Sequence, residues 1–178
     1  MTRSRHAAPF AALAVFALAA ALGACQKDGQ GGASDGPLPP GITAIASDAR
    51  LQPPQPTENC YSAPTRIVFH SQKEWDDFWT DERRGCASPP IPGGIDWQKQ
   101  MLVYASMGKR MSAEDRISVD GTGMRNDTML VFIRRSMVEP GCSGRDATFP
   151  QSLVKLPASS KYVKFNEEHR KIPCGGAS

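Results

Sequence analysis

The chain has 178 residues, of which 22% are charged and 7% aromatic, and a formal net charge of +3. That length leaves room for one ordinary domain once ends that are processed or unstructured are set aside. Arg3 and Arg5 supply two of the positive charges, so a mature chain without them carries +1, which excludes the basic balance on which nucleic-acid binding rests.

Arg3, Arg5 and His6 precede an uncharged run from Ala7 to Ala24, rich in Ala, Leu, Val and Phe. A positive start and an apolar middle make residues 1–24 a secretory signal peptide and not part of the fold. The run ends in "LGAC", Leu22 to Cys25, which resembles the lipobox of bacterial lipoproteins. The resemblance implies cleavage before Cys25 and acylation of that cysteine (palmitate among the chains), holding the protein to a bilayer without a spanning helix. An ordinary secreted protein and a signal anchor are the alternatives. Residues 25–59, with "QKDGQGGASDGPLPPG" and "LQPPQPTE", are expected to be a disordered tether, because such composition buries too little to order itself. Gln26 is not the Asp that commonly retains lipoproteins in the inner membrane, which points to the outer membrane, facing the periplasm.

The folded part is expected over 60–176. Setting Cys25 aside leaves Cys60, Cys86, Cys142 and Cys174, an even number in an exported domain, and disulfides are the first reading. Of the three possible pairings, Cys60 with Cys86 and Cys142 with Cys174 is favoured, since each pair brackets one unbroken stretch. Zinc is the alternative, but no two cysteines have the close spacing of a structural zinc site.

"TRIVFHS", 65–71, alternates and is β-branched, as a first strand should be. Ser71 then caps a helix, with Glu74 three residues on reaching back in a capping box. Trp75, Phe78 and Trp79 fall at spacings of three and four on one stripe, opposite Lys73, Asp76, Asp77 and Asp81. Such a stripe is read as core in preference to a ligand platform. "RRGCASPPIPGG" is a loop, and "IDWQKQMLVYASMG", 95–108, gives a turn and an apolar strand. "RISVDGTGM" and "TMLVFIRRS" predict a hairpin closed near Asn126 and Asp127. Gly121 and Gly123 have no helix after them, so they do not form a phosphate loop. "SLVKLPA" and "KYVKFNEE" supply two last strands with Leu153, Val154, Leu156, Val163 and Phe165 inward. The basic pairs Arg83/Arg84 and Arg134/Arg135 are expected as solvated surface. One early helix packed on five or six strands makes an α+β domain with a mostly antiparallel sheet.

The order of these pieces over 65–172 resembles the PrcB C-terminal-like family, named for a lipoprotein subunit that supports a bacterial surface protease complex. The resemblance is carried by "SQKEWDDFW" after a strand, "IDWQKQMLVYASMGKR", the "ISV" hairpin and "EPGC…ATFPQSLVKLP". After "MGKR" such domains usually carry Gly-Gly-Tyr; here Ala113, Glu114 and Asp115 stand in that place, so a contact made there would differ. The resemblance implies a non-catalytic accessory role, with the domain binding or stabilising another envelope protein, a protease among them.

No catalytic chemistry, metal or cofactor is expected. HExxH and CxxC are missing from the sequence, and only His70 and His169 lie beyond the leader. The neighbours Glu114/Asp115 and Glu167/Glu168 are expected to be solvated, since a calcium site needs oxygens spaced along the chain. Partner contact is expected on the mixed-charge loop at 108–116 and its flank, at Met107, Lys109, Arg110, Met111, Glu114, Asp115 and Arg116, or along an unprotected sheet edge. The competing readings are a hydrolase or small-ligand-binding protein with a site around His70, and a purely structural envelope lipoprotein.

Overall fold

The computed structural model describes residues 36–54, 63–80, 89, 91, 94–139, 141 and 147–173. The strands are β1 (Thr43–Ala44), β2 (Arg50–Leu51), β3 (Thr65–Phe69), β4 (Gln100–Ser106), β5 (Arg116–Arg125), β6 (Thr128–Val138), β7 (Gln151–Pro157) and β8 (Tyr162–Ile172), with the helix α1 at Gln72–Thr80. The fold is α+β and mostly antiparallel as expected, but the strands form two four-stranded sheets, ordered β1-β5-β6-β8 and β2-β7-β4-β3. The single parallel pairing among the described strands is β6 with β8, because the chain leaves β6 for β7 in the other sheet before returning.

The run "QMLVYAS" explains the layering. Met101, Val103 and Ala105 belong to a core shared with Ile117, Val119, Val131 and Ile133 of the other sheet. Leu102 and Tyr104 alternate with them and pack with Phe69, Leu153, Trp75 and Trp79 instead. A strand covered on both faces has no polar positions to alternate with, hence the continuous apolar run. Leu153 and Val154, both expected inward, are both buried but on opposite faces of the same sheet.

Helix α1 starts where Ser71 Oγ accepts the Glu74 amide at 3.2 Å, while Glu74 reaches back to accept the His70 amide at 2.6 Å. The reach-back lands one residue earlier than a capping box at Ser71 requires. The indoles of Trp75 and Trp79 are 0% and 1% exposed and meet edge to face at 5.4 Å. Phe69, Phe78 and Tyr104 complete the aromatic cluster, and Trp75 Nε1–H donates to the Pro89 carbonyl at 2.8 Å. Each indole removes a large apolar area from water, so this stripe is what fastens the helix to its sheet. The β5–β6 hairpin turns at Asn126, φ 55°, a left-handed conformation that asparagine tolerates better than most residues.

The expected tether is corrected over residues 36–54. Here the chain forms a strap from one sheet to the other. β1 pairs with β5, Ile45 enters the inter-sheet core and donates its amide to Asp120 at 2.9 Å, and β2 pairs with β7. Gly121 and Gly123 make room for it. A Cβ on Gly121 would stand 2.7 Å from the Thr43 carbonyl oxygen, and one on Gly123 would stand 2.9 Å from Ile42 Cδ1. The domain therefore begins well before residue 60.

The strap is also held by charge. Asp120, the extra residue of a β-bulge after Val119, is buried, and Arg134 Nη1 lies 2.9 Å from its Oδ2. That approach is an ion pair without hydrogen-bond alignment. Arg50 of the strap reaches Asp120 at 3.7 Å and donates to the Val119 carbonyl, while Arg134 donates to the Gly36 carbonyl at 3.4 Å. Arg134 is thus corrected from solvated surface to 4% exposed, because the strap and Glu168 cover it.

Candidate docking site

The segment between β4 and β5 leaves the core at Met107, whose amide donates to the Pro150 carbonyl. Met107, expected as a contact, is 3% exposed and belongs to the inter-sheet core. The chain then turns at Gly108, and Arg110 exchanges two backbone hydrogen bonds of 2.8 Å with Thr148. Ser112 accepts the Glu114 amide through Oγ and the Thr148 hydroxyl through its carbonyl. Asp115 closes the bracket: Oδ2 accepts Arg110 Nε at 2.7 Å and Oδ1 accepts the Val138 amide at 2.9 Å. Its side chain is 2% exposed, so Asp115 is corrected from a contact residue to the group that fixes the loop on the end of β6. Both of its oxygens are engaged by protein donors, and it lines the cleft that this loop borders.

What remains on the surface is compact. Lys109 and Met111 are exposed, Met111 by 45%, and with Arg110 they border a shallow cleft of about 320 Å³ whose far wall is Val138 and Glu139. The cleft presents cations on the loop side, a carboxylate on the β6 side and a thioether between them, a mixed rim around an adaptable apolar residue. Glu114 is half-buried and Arg116 exposed at the start of β5; neither borders the cleft. The sequence could not separate the loop residues that face out from those that anchor it, since Thr148 and Val138, the anchoring partners, are distant in the chain.

His70 is exposed, and neither this cleft nor a second one, bordered by Arg125, Asn126, Leu130 and Lys164, includes it. Among the described residues no three His, Cys, Asp or Glu side chains gather as a metal set, and no helix is long and apolar enough to cross a membrane. The five cysteines, with the expected bridges and acylation site, and the pair Arg83/Arg84 lie outside the described residues.

Glu167 and Glu168, expected as solvated neighbours, are both engaged. Burial pushes the Glu167 carboxyl up, but the hydrogen bond and charge of Arg66, joined by Arg135, outweigh it and hold it below the usual carboxylate range. Arg66 comes from β3, so this pair ties the two sheets at their edges. The hydrogen bond from Arg170, with the charge of Arg134, lowers Glu168.

No protein-family model, curated protein or solved structure matches the chain.

Proposed function

We propose that the protein is a non-catalytic lipoprotein of the bacterial envelope, anchored through Cys25 to the outer membrane and facing the periplasm, whose domain binds or stabilises a partner envelope protein. A protease is the partner class that the family resemblance suggests. The observation that carries the reading is where the apolar side chains are spent. Trp75 and Trp79 of α1 are buried, and the exposed Met111 sits on a loop fastened by Asp115, beside a cleft of mixed charge. A preformed rim of that kind loses little freedom on binding, which favours protein recognition.

The test is a pull-down from envelope extract with the anchored chain, repeated with Met111→Asp and Lys109→Glu. The reading expects a specific protein, confirmed by reciprocal capture, whose recovery falls at least about tenfold with either variant, a loss of about 1.4 kcal/mol or more, while thermal stability stays unchanged. Recovery of no specific protein, or recovery indifferent to both substitutions, contradicts it.

A further inference from the structure

β8 is the last strand of its sheet and has eleven residues, Tyr162–Ile172, mostly exposed or half-exposed. A strand at a sheet edge offers unpaired backbone groups to any extended chain, and charged side chains are the usual deterrent. Here the order of the charges is the point. "NEEHRKI", 166–172, is self-complementary when read against itself in the antiparallel sense.

Two copies of one edge strand pair antiparallel about a two-fold axis perpendicular to the sheet, which leaves each side chain on its own face. Directly opposed residues share a face, so the axis must pass through a residue and not between two. The registers differ in the charges they oppose: centred on Asn166 only Lys164 and Glu168 form an ion pair, and centred on Lys171 two ammonium groups meet at the axis. Centred on Glu167 or Glu168, a glutamate opposes its own copy. Centred on Arg170, two guanidinium groups meet at the axis. Centred on His169, an imidazole opposes its own copy at the axis, Glu168 opposes Arg170 of the second copy, Glu167 opposes Lys171, Asn166 opposes Ile172, and no two carboxylates and no two Lys or Arg side chains are opposed within 166–172.

The backbone agrees with such a join. The Ile172 carbonyl accepts the Glu139 amide, just past the end of β6, so the even-numbered peptide groups near this end turn toward β6. The alternation of a strand then turns those of Glu167, His169 and Lys171 to the open edge. Glu168 and Arg170 already touch within one chain at 2.6 Å, and two copies would place them in an alternating square of charge.

We infer that β8 is a homodimer interface: two copies of this chain join antiparallel through residues 166–172, centred on His169, to make one continuous sheet. The register is chosen by the Glu167–Lys171 and Glu168–Arg170 pairs. It does not depend on lipidation of Cys25 or on the loop at 109–115.

The experiment measures dimerisation of the purified full-length chain in detergent by light scattering over a dilution series. Lys171→Glu places a carboxylate opposite Glu167 twice per dimer and should raise the dissociation constant about tenfold or more. Lys164→Glu makes the same change of net charge on β8 beyond the paired stretch and should shift it by less than about twofold. A benzophenone side chain introduced at position 169 should cross-link chain to chain in intact cells. A wild-type chain that stays monomeric at 100-micromolar concentrations (about the weak limit for a specific contact), a dimer indifferent to Lys171→Glu, or equal loss with Lys164→Glu overturns the inference. Because Lys171 is exposed and forms no described ion pair, its substitution leaves the fold intact for the comparison.

Discussion

Adding one methyl group at Gly123 should loosen the strap without unfolding the domain. The new Cβ would stand 2.9 Å from Ile42 Cδ1 and 3.3 Å from the Gly41 carbonyl carbon, and closer still to the Gly41 carbonyl oxygen. Ile42 can change rotamer, but the Gly41 backbone cannot, so the strap must move away. Overpacking of this kind costs about 1–3 kcal/mol. The ceiling is what the strap's apolar side chains contribute: buried Ile45 at about 1.5–3 kcal/mol and half-buried Leu38 and Ile42 at about half that each, together about 3–6 kcal/mol. The expected cost lies below the ceiling, so the strap should shift and stay attached. Guanidinium unfolding of Gly123→Ala should show a loss of about 1–3 kcal/mol. Hydrogen exchange should show reduced protection at the Ile45 amide, which bonds to Asp120. Gly121→Ala, which meets the Thr43 carbonyl oxygen at 2.7 Å, should behave alike. A change under about 0.5 kcal/mol, typical of a surface substitution, with Ile45 protection unaltered would refute the claim that these glycines are there for the strap.

The same contacts set other expected outcomes. Arg134→Ala leaves the buried Asp120 carboxylate with only Arg50 at 3.7 Å and should cost about 3–5 kcal/mol in chemical denaturation, the range for breaking a buried pair. Ser71→Ala removes the acceptor of the Glu74 amide and should cost about 1 kcal/mol, read as a lower melting temperature. Because the folded carboxyl of Glu167 is held below its ordinary value, its stabilisation is present above about pH 4.3 and is lost as pH falls through the lowered folded value. Glu167→Gln should therefore destabilise by less than about 1 kcal/mol at neutral pH and narrow the gap to wild type in acid, measured as unfolding midpoint against pH.

Local features of the fold were legible in the sequence. The Ser71 cap, the three-and-four spacing of Trp75, Phe78 and Trp79, and the Asn126 turn are short-range signals, and the structure places each where its chemistry requires. The two-sheet arrangement was harder to see because β4 is buried on both faces and shows no alternation, and because β6 and β8 pair across an intervening strand. The strap was hidden for a different reason. Its strands have two residues each and its composition is that of a linker, so its order depends on Gly121, Gly123 and Asp120, roughly eighty residues away. In the loop at 108–116, charge suggested exposure for Asp115, whereas its hydrogen bonds with Arg110 and Val138 make it the anchor.

The account depends on the paired indoles of α1 being spent on the body of the domain. Of the three tryptophans, Trp97 is half-buried, so Trp97→Phe leaves a chain whose indole fluorescence comes from Trp75 and Trp79. Acrylamide quenching of that chain should be weak and its emission blue-shifted until denaturant unfolds it, with no change when a protein captured from envelope extract is added. Native-state quenching as efficient as in the unfolded chain would mean that water reaches both rings, and recognition would then belong to the helix and not to the loop.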